Sequence, residues 1–305
     1  MPRLEGMTVE SPYAAQLDTI PVDHRKTSIL GSETHYWVYG PDDAAETIVV
    51  VHGYRGEHHG IEPVVAHLPE FRMIVADLPG FGESSPLTEH PHSIAGYVAW
   101  LEAFTTDLGL RGTATILGHS FGTIVTSAAV AAGLPTPGLI LINPIAMPGD
   151  KGPHPIMSGV TVKYYRAAAK LPKKLGYALL NNWLLVQLMS VALVKTKDKA
   201  LRKWIHREHH TFFNRFHDRD SVVEGFEASI SADVSQFAPD IACPTLLIAA
   251  ELDDITPVSA QYDLQRTFPD ARLRVLGAVG HLIHYEVPDQ AADAIRDFLG
   301  VTPTS

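Results

Sequence analysis

Short apolar runs, each closed by turn residues, recur through the first half of the 305-residue chain. They fall at 35–39 (HYWVY), 47–51 (TIVVV), 72–77 (RMIVAD), 113–117 (TATIL) and 139–143 (LILIN). Unbroken apolar runs, without polar alternation, are the pattern of strands buried on both faces, as parallel strands are. Between them the spacing predicts helices over 94–107, with Trp100, Leu101 and Phe104 on one face, and over 123–132. Strand and helix alternating in this way predict a mostly parallel sheet with helices on both sides. Near the start, KTSILGSETHYWVYG reads as a hairpin about Gly31-Ser32 and hence an antiparallel edge.

From about 145 to 235 the pattern changes, as strand runs give way to helix-prone, lysine-rich sequence. Alternation resumes with a strand at 243–250, a helix over 257–268, a strand at 272–277 and a last helix over 288–299. The expected organisation is an α/β core in two parts, 1–144 and 236–305, interrupted by a helical cap at 145–235.

Composition narrows the function classes. With 24 basic and 34 acidic residues the formal net charge is −10, which argues against a nucleic-acid partner. Cys243 is the single cysteine, so neither an internal disulfide nor a cysteine metal cluster is available. The segment MPRLEGMTVESPY lacks the basic-then-apolar pattern of a secretory signal. The longest dense apolar run, 183–194, has 12 residues where a bilayer crossing takes about 20. The expectation is a soluble, cytoplasmic protein, its oligomeric state open.

The predicted strands end in reactive residues, which is where open α/β sheets place their sites. After 113–117 comes Gly118-His119-Ser120-Phe121-Gly122, a G-x-S-x-G in a strand-to-helix setting. Without partners, Ser120 would be only a helix cap. A serine nucleophile needs a base, and the base an orienting carboxylate. Asp253 follows the strand at 243–250 in ELDDITP, and His281 follows the strand at 272–277 in GAVGHLIHYEVP.

Together with VVHGYRG and DLPGFGESS, these stretches resemble the α/β-hydrolase superfamily over nearly the whole chain except the cap. The resemblance implies a Ser120–His281–Asp253 triad and no metal or organic cofactor. Asp254 competes with Asp253, but the family's Gly-Glu-x-Asp-x-x-x-Pro pattern, with Ala250 departing from its glycine, falls on Asp253. His284 competes with His281, which matches the family's Gly-His at Gly280. The resemblance also places an oxyanion hole at the backbone N–H groups of Tyr54 and Phe121. Residues His52, Gly53, His119, Trp183 and His284 are candidate pocket residues.

The chemistry implied is hydrolysis of a carboxylic ester, thioester or lactone with an apolar acyl group. Carbon–carbon bond hydrolases, cofactor-free dioxygenases using the His–Asp pair and ligand receptors share the scaffold and remain alternatives. Other signals carry less. In HREHH, His206 and His210 lie four apart and read as the polar face of a cap helix, and His58 and His59 read as solvated loop residues. Within 151–207 twelve basic residues face one acid, Asp198, beside the apolar 183–194 run. That leaves a cap helix kept soluble by lysines, a lipophilic acyl substrate, an anionic substrate, or contact with an anionic membrane surface.

Overall fold

The computed structural model describes residues 11–148 and 155–301. Eight strands form one sheet: β1 (Val22–Ile29), β2 (Ser32–Tyr39), β3 (Thr47–Val51), β4 (Arg72–Ala76), β5 (Thr115–His119), β6 (Leu139–Ile142), β7 (Thr245–Ala250) and β8 (Ala271–Leu276). Their order across the sheet is β1-β2-β4-β3-β5-β6-β7-β8. The β1–β2 and β2–β4 pairs are antiparallel, and every later pair is parallel. The hairpin between β1 and β2 turns through Leu30 (φ 49°) and Gly31 (φ 77°), two left-handed residues whose twist matches that of the flanking strands.

The described residues also form twelve α-helices: α1 (Ala14–Leu17), α2 (Glu62–Val65), α3 (Ile94–Asp107), α4 (Phe121–Ala131), α5 (Pro155–Lys170), α6 (Lys173–Leu180), α7 (Trp183–Leu193), α8 (Lys199–Phe212), α9 (Arg219–Ser231), α10 (Val258–Gln265), α11 (Ile283–Glu286) and α12 (Pro288–Leu299). The unbroken apolar strands β3 to β7 are covered on both faces, as their sequences require. One face packs on α3 and α4 through Trp100, Phe104, Ile124 and Val125. The other packs through Val64, Ile283 and Ile295 of α2, α11 and α12.

The α3 helix starts where Ser93 accepts the Gly96 amide at 3.2 Å, and it buries Trp100, whose indole N–H donates to Thr34 at 3.1 Å. Short α2 and α11 have no sequence signature, because four residues give no helical period to read. The β5 strand runs to His119, two residues beyond the predicted end, since backbone pairing continues with β6 through His119–Ile142.

Five helices, α5 to α9, lie between β6 and β7. Here the expectation about apolar length needs correcting. The α6 and α7 stretch, Lys173–Leu193, is 21 residues and holds an 18-residue window of mean hydropathy 1.3, only 22% of it buried, long and apolar enough to cross a bilayer by length and composition. In the fold it is two helices. The Asn182 side chain accepts the Leu184 amide at 2.9 Å and caps α7 as a new start.

Candidate active site

The turn after β5 is bent as far as a serine allows. Ser120 sits at φ 52°, ψ −118°, in a region that non-glycine residues rarely occupy and that persists only where surroundings enforce it. The flanking glycines are required by contact. A Cβ at Gly118 would lie 2.5 Å from the Thr126 hydroxyl, and one at Gly122 would lie 2.1 Å from the Val51 carbonyl. The strain lifts the Ser120 side chain above the carboxyl end of the sheet while α4 begins directly beneath it.

Two loops from neighbouring strands meet this hydroxyl. His281, after β8, places Nε2 2.8 Å from Ser120 Oγ, and its Nδ1 lies 2.8 Å from Asp253 Oδ2, after β7. The tautomer follows from the partners. An ionised carboxylate only accepts, so Nδ1 carries the proton and Nε2 is left to accept the Ser120 O–H. Burial pushes the Asp253 carboxyl up, but the His281 charge and hydrogen bond, with the Ile255 and Thr256 amides, outweigh it and hold the group below the usual carboxylate range. Those amides donate to Oδ1 at 2.8 and 3.2 Å. Asp254 points elsewhere, onto the Lys195 ammonium.

Asn143 is a participant that no motif marks. It ends β6 at φ 49°, fully buried, and its Nδ2 donates to Asp253 Oδ2 at 3.0 Å. Its position after a strand run is the only sequence signal that finds it.

The loop after β3 closes the other side. A Cβ at Gly53 would sit 3.1 Å from Ser120 Cβ, so this loop touches the serine. Among the described residues, the amides of Tyr54 and Phe121 donate to no backbone acceptor. The Tyr54 hydroxyl is tied to the Val222 carbonyl of α9 at 2.7 Å, and its ring meets Phe121 and Tyr165 edge-on. Tyr165 of α5 stacks on Phe226 of α9 with centroids 3.9 Å apart. Arg55, wholly buried at φ 58°, donates to the Phe213 carbonyl at 3.2 Å, the Tyr165 hydroxyl at 3.2 Å, the Leu180 carbonyl at 3.0 Å and the Asn214 side chain. It bonds to no carboxylate among the described residues.

The chain as a whole has relatives among known proteins. The family described as alpha/beta hydrolase fold matches residues 46–288. The chain belongs to the α/β-hydrolase family. It is 24% identical over 286 residues to the 2-hydroxy-6-oxononadienedioate/2-hydroxy-6-oxononatrienedioate hydrolase 2 of Pseudomonas putida, covering 88% of this chain and 92% of that one. It is 24% identical over 215 residues to the pimeloyl-[acyl-carrier protein] methyl ester esterase of Shewanella woodyi, covering 70% and 77%. Among solved structures, the enol-lactonase from Burkholderia xenovorans superposes with a TM-score of 0.74 at 22% identity, over 90% of this chain and 100% of that one.

Several expected pocket residues of this α/β hydrolase sit elsewhere. His52 does not offer a free ring edge: Nδ1 donates to the Gly53 carbonyl at 2.8 Å, and Nε2 accepts the Leu78 amide at 2.8 Å. Its ring braces the loop that carries Tyr54. Trp183 stands mostly exposed on the outer side of α7, beside His210, because the inner side of that helix is taken by Val186 and Ser190. His58 is not solvated either, and His59 is half-buried. His58 is buried, with Nδ1 donating to Asp77 at 3.0 Å and its ring stacked on Trp37, and His59 Nδ1 pairs with Glu57 at 2.6 Å. In α8, the Nδ1 atoms of His206 and His209 lie 2.6 and 2.7 Å from Ser190, and His210 Nε2 lies 2.6 Å from Gln187.

His119 and His284 lie behind the relay, rings 4.1 Å apart, each with a buried, unpartnered nitrogen. Burial, then the His281 charge, pushes His119 down to about 3, and burial likewise holds His284 well below its ordinary value. The folded state therefore binds these protons more weakly than the unfolded chain does. The His119 contribution is complete above pH 6.5 and is lost as pH falls toward about 3. In that window His119 contributes a slope of up to about 1.4 kcal/mol per pH unit. Urea unfolding at a series of pH values should show this acid loss, and His119→Gln should flatten it. An unchanged slope in the variant would remove His119 from the account.

Proposed function

We propose that this α/β hydrolase is a serine esterase that cleaves carboxylic esters, and by the same chemistry thioesters or lactones, with an apolar acyl group. The observation that carries the reading is the continuous hydrogen-bonded line from Ser120 Oγ through His281 to Asp253, with the serine on a left-handed turn. Nucleophile, base and orienting acid stand in the order and contact that acyl transfer needs.

His281 Nε2 takes the Ser120 proton as Oγ attacks the carbonyl carbon. The oxyanion that forms is held by the N–H groups of Tyr54 and Phe121, fixed in advance by the glycine contacts at 53 and 122. Asp253 stabilises the imidazolium, which then protonates the departing alcohol. A water deprotonated by His281 attacks the acyl-enzyme and frees the acid, returning the proton to Ser120. Helices α5 to α9 act as a cap that brings Tyr165 and Phe226 over the Tyr54 loop. An apolar acyl chain suits this aromatic wall, and Arg55, its donors engaged by cap carbonyls and side chains, is not free to pair with a substrate carboxylate. The relative from Shewanella woodyi, a methyl ester esterase by name, is consistent with ester chemistry.

The test is a fluorophosphonate probe followed by peptide mapping, together with turnover of aryl esters of increasing acyl length. Modification confined to Ser120, with kcat/KM rising as the chain lengthens, is expected. Labelling with no ester turned over would sink the esterase reading in favour of a receptor or of carbon–carbon cleavage. Oxygen uptake with an aromatic substrate, surviving loss of the serine, would replace it with oxygenase chemistry.

A further inference from the structure

We propose that the outward face of α6 and α7 docks flat on an anionic lipid bilayer. The face is apolar and open: Leu175 is 59% exposed, Trp183 60%, Leu184 55%, Leu188 68% and Val191 57%. In α7, positions 184, 188 and 191 recur at helical spacing and form one stripe, while Val186 and Ser190 face inward, the latter bonded to His206 and His209 of α8. An isolated exposed leucine needs no explanation, but a continuous stripe with a tryptophan does.

Charge selects the occupant. Between 170 and 203 lie eight basic residues and one acid, Asp198, in a chain of net charge −10. Lys173 and Lys195 pair internally with Asp220 and Asp254. Lys170, Lys174, Lys197, Lys199 and Lys203 have no carboxylate partner among the described residues, so their ammonium groups are available to lipid phosphates. They bracket the stripe in sequence, before α6 and after α7. An acidic body with one basic, apolar face meets an anionic surface in a single orientation, the rest of the molecule being repelled. A second copy is a poor occupant by the same charges, because two such faces in contact would oppose cation to cation. Spanning is excluded by geometry: α7 has 11 residues, about 16 Å of rise, and α6 stops at the Asn181-Asn182 break. Helices of this kind lie in the headgroup region with tryptophan at the boundary.

Docking is independent of the esterase reading, since it is read by binding and not by turnover. Trp183 supplies the signal, for Trp37, Trp100 and Trp204 are buried and only Trp183 stands in water. Vesicles of phosphatidylcholine with about a quarter phosphatidylglycerol should sediment the protein and shift its emission to the blue, and raising salt should release it. Phosphatidylcholine alone should bind much less. Leu184→Asp with Leu188→Asp should weaken binding by about tenfold or more. Lys170→Gln with Lys174→Gln should weaken it by about fivefold per charge. All four positions are exposed, so near-ultraviolet circular dichroism should be unchanged. Absence of binding to anionic vesicles would overturn the proposal, as would binding indifferent to the leucine changes. A concentration-dependent dimer abolished by Leu188→Asp, without vesicle binding, would overturn it in favour of a second copy.

Discussion

Asparagine at position 253 is expected to lower kcat for any ester the enzyme proves to turn over by about 10⁴-fold, while asparagine at 254 should change it by no more than a few-fold. The difference comes from how each carboxylate is held. Asp253 accepts four donors, His281 Nδ1 and Asn143 Nδ2 on Oδ2, and the Ile255 and Thr256 amides on Oδ1. An asparagine amide has a donor end that must face one of these pairs. Turned toward His281, it donates to the ring and leaves Nδ1 bare and Nε2 protonated, so the base can no longer take the Ser120 proton. Turned the other way, it meets two backbone N–H groups. Asp254 contacts Lys195 and has no part in this exchange. Ser120→Ala should be at least as damaging, and the Ser120→Ala, Asp253→Asn double variant no worse than the serine change alone, since the three residues act as a unit. Steady-state and single-turnover rates on one aryl ester check all of this. Additive losses, or an Asp253→Asn variant within tenfold of the parent, would remove the relay from the mechanism.

Arg55→Met should lower the unfolding free energy by about 3–5 kcal/mol and lower kcat as well. The guanidinium gathers the Leu180 and Phe213 carbonyls, the Tyr165 hydroxyl and Asn214, and lies 4.8 and 5.1 Å from the Phe213 and Phe216 ring centres. Methionine fills comparable space but leaves these acceptors buried and unpaired. Because Arg55 directly follows Tyr54, its loss also frees the loop whose Gly53 lies against Ser120. Arg55→Lys should recover little, as an ammonium cannot reproduce the planar set of donors. Urea unfolding and kcat measured on the same preparations decide the matter. A change below about 1 kcal/mol would mean the guanidinium does not join these helices to the loop.

The sheet, its helices and the three relay residues were legible because each is announced locally. Apolar runs give strands, and Ser120, Asp253 and His281 each follow one. Residues whose meaning depends on distant chain were not legible. Asn143 meets its partner across 110 positions. Arg55 reads in sequence as a surface cation and is buried only because α5, α6 and the end of α8 wrap it. His58 reads as a loop histidine until Asp77, 19 residues on, takes its ring nitrogen. Trp183 was misplaced for the opposite reason: an apolar helix implies a buried face, and nothing local says which side of α7 is left in water.

Ser120 and His281 are 161 residues apart, and the described chain between them makes six α-helices, α4 to α9, before the last two strands. During synthesis the serine therefore leaves the ribosome on a turn whose strand neighbour β3 is already made, and its other neighbour, β6, follows soon after. It waits there without base or acid. Only when β7 and β8 add to the open edge of the sheet does the hydroxyl acquire its proton acceptor, so a chain interrupted short of β7 is chemically silent.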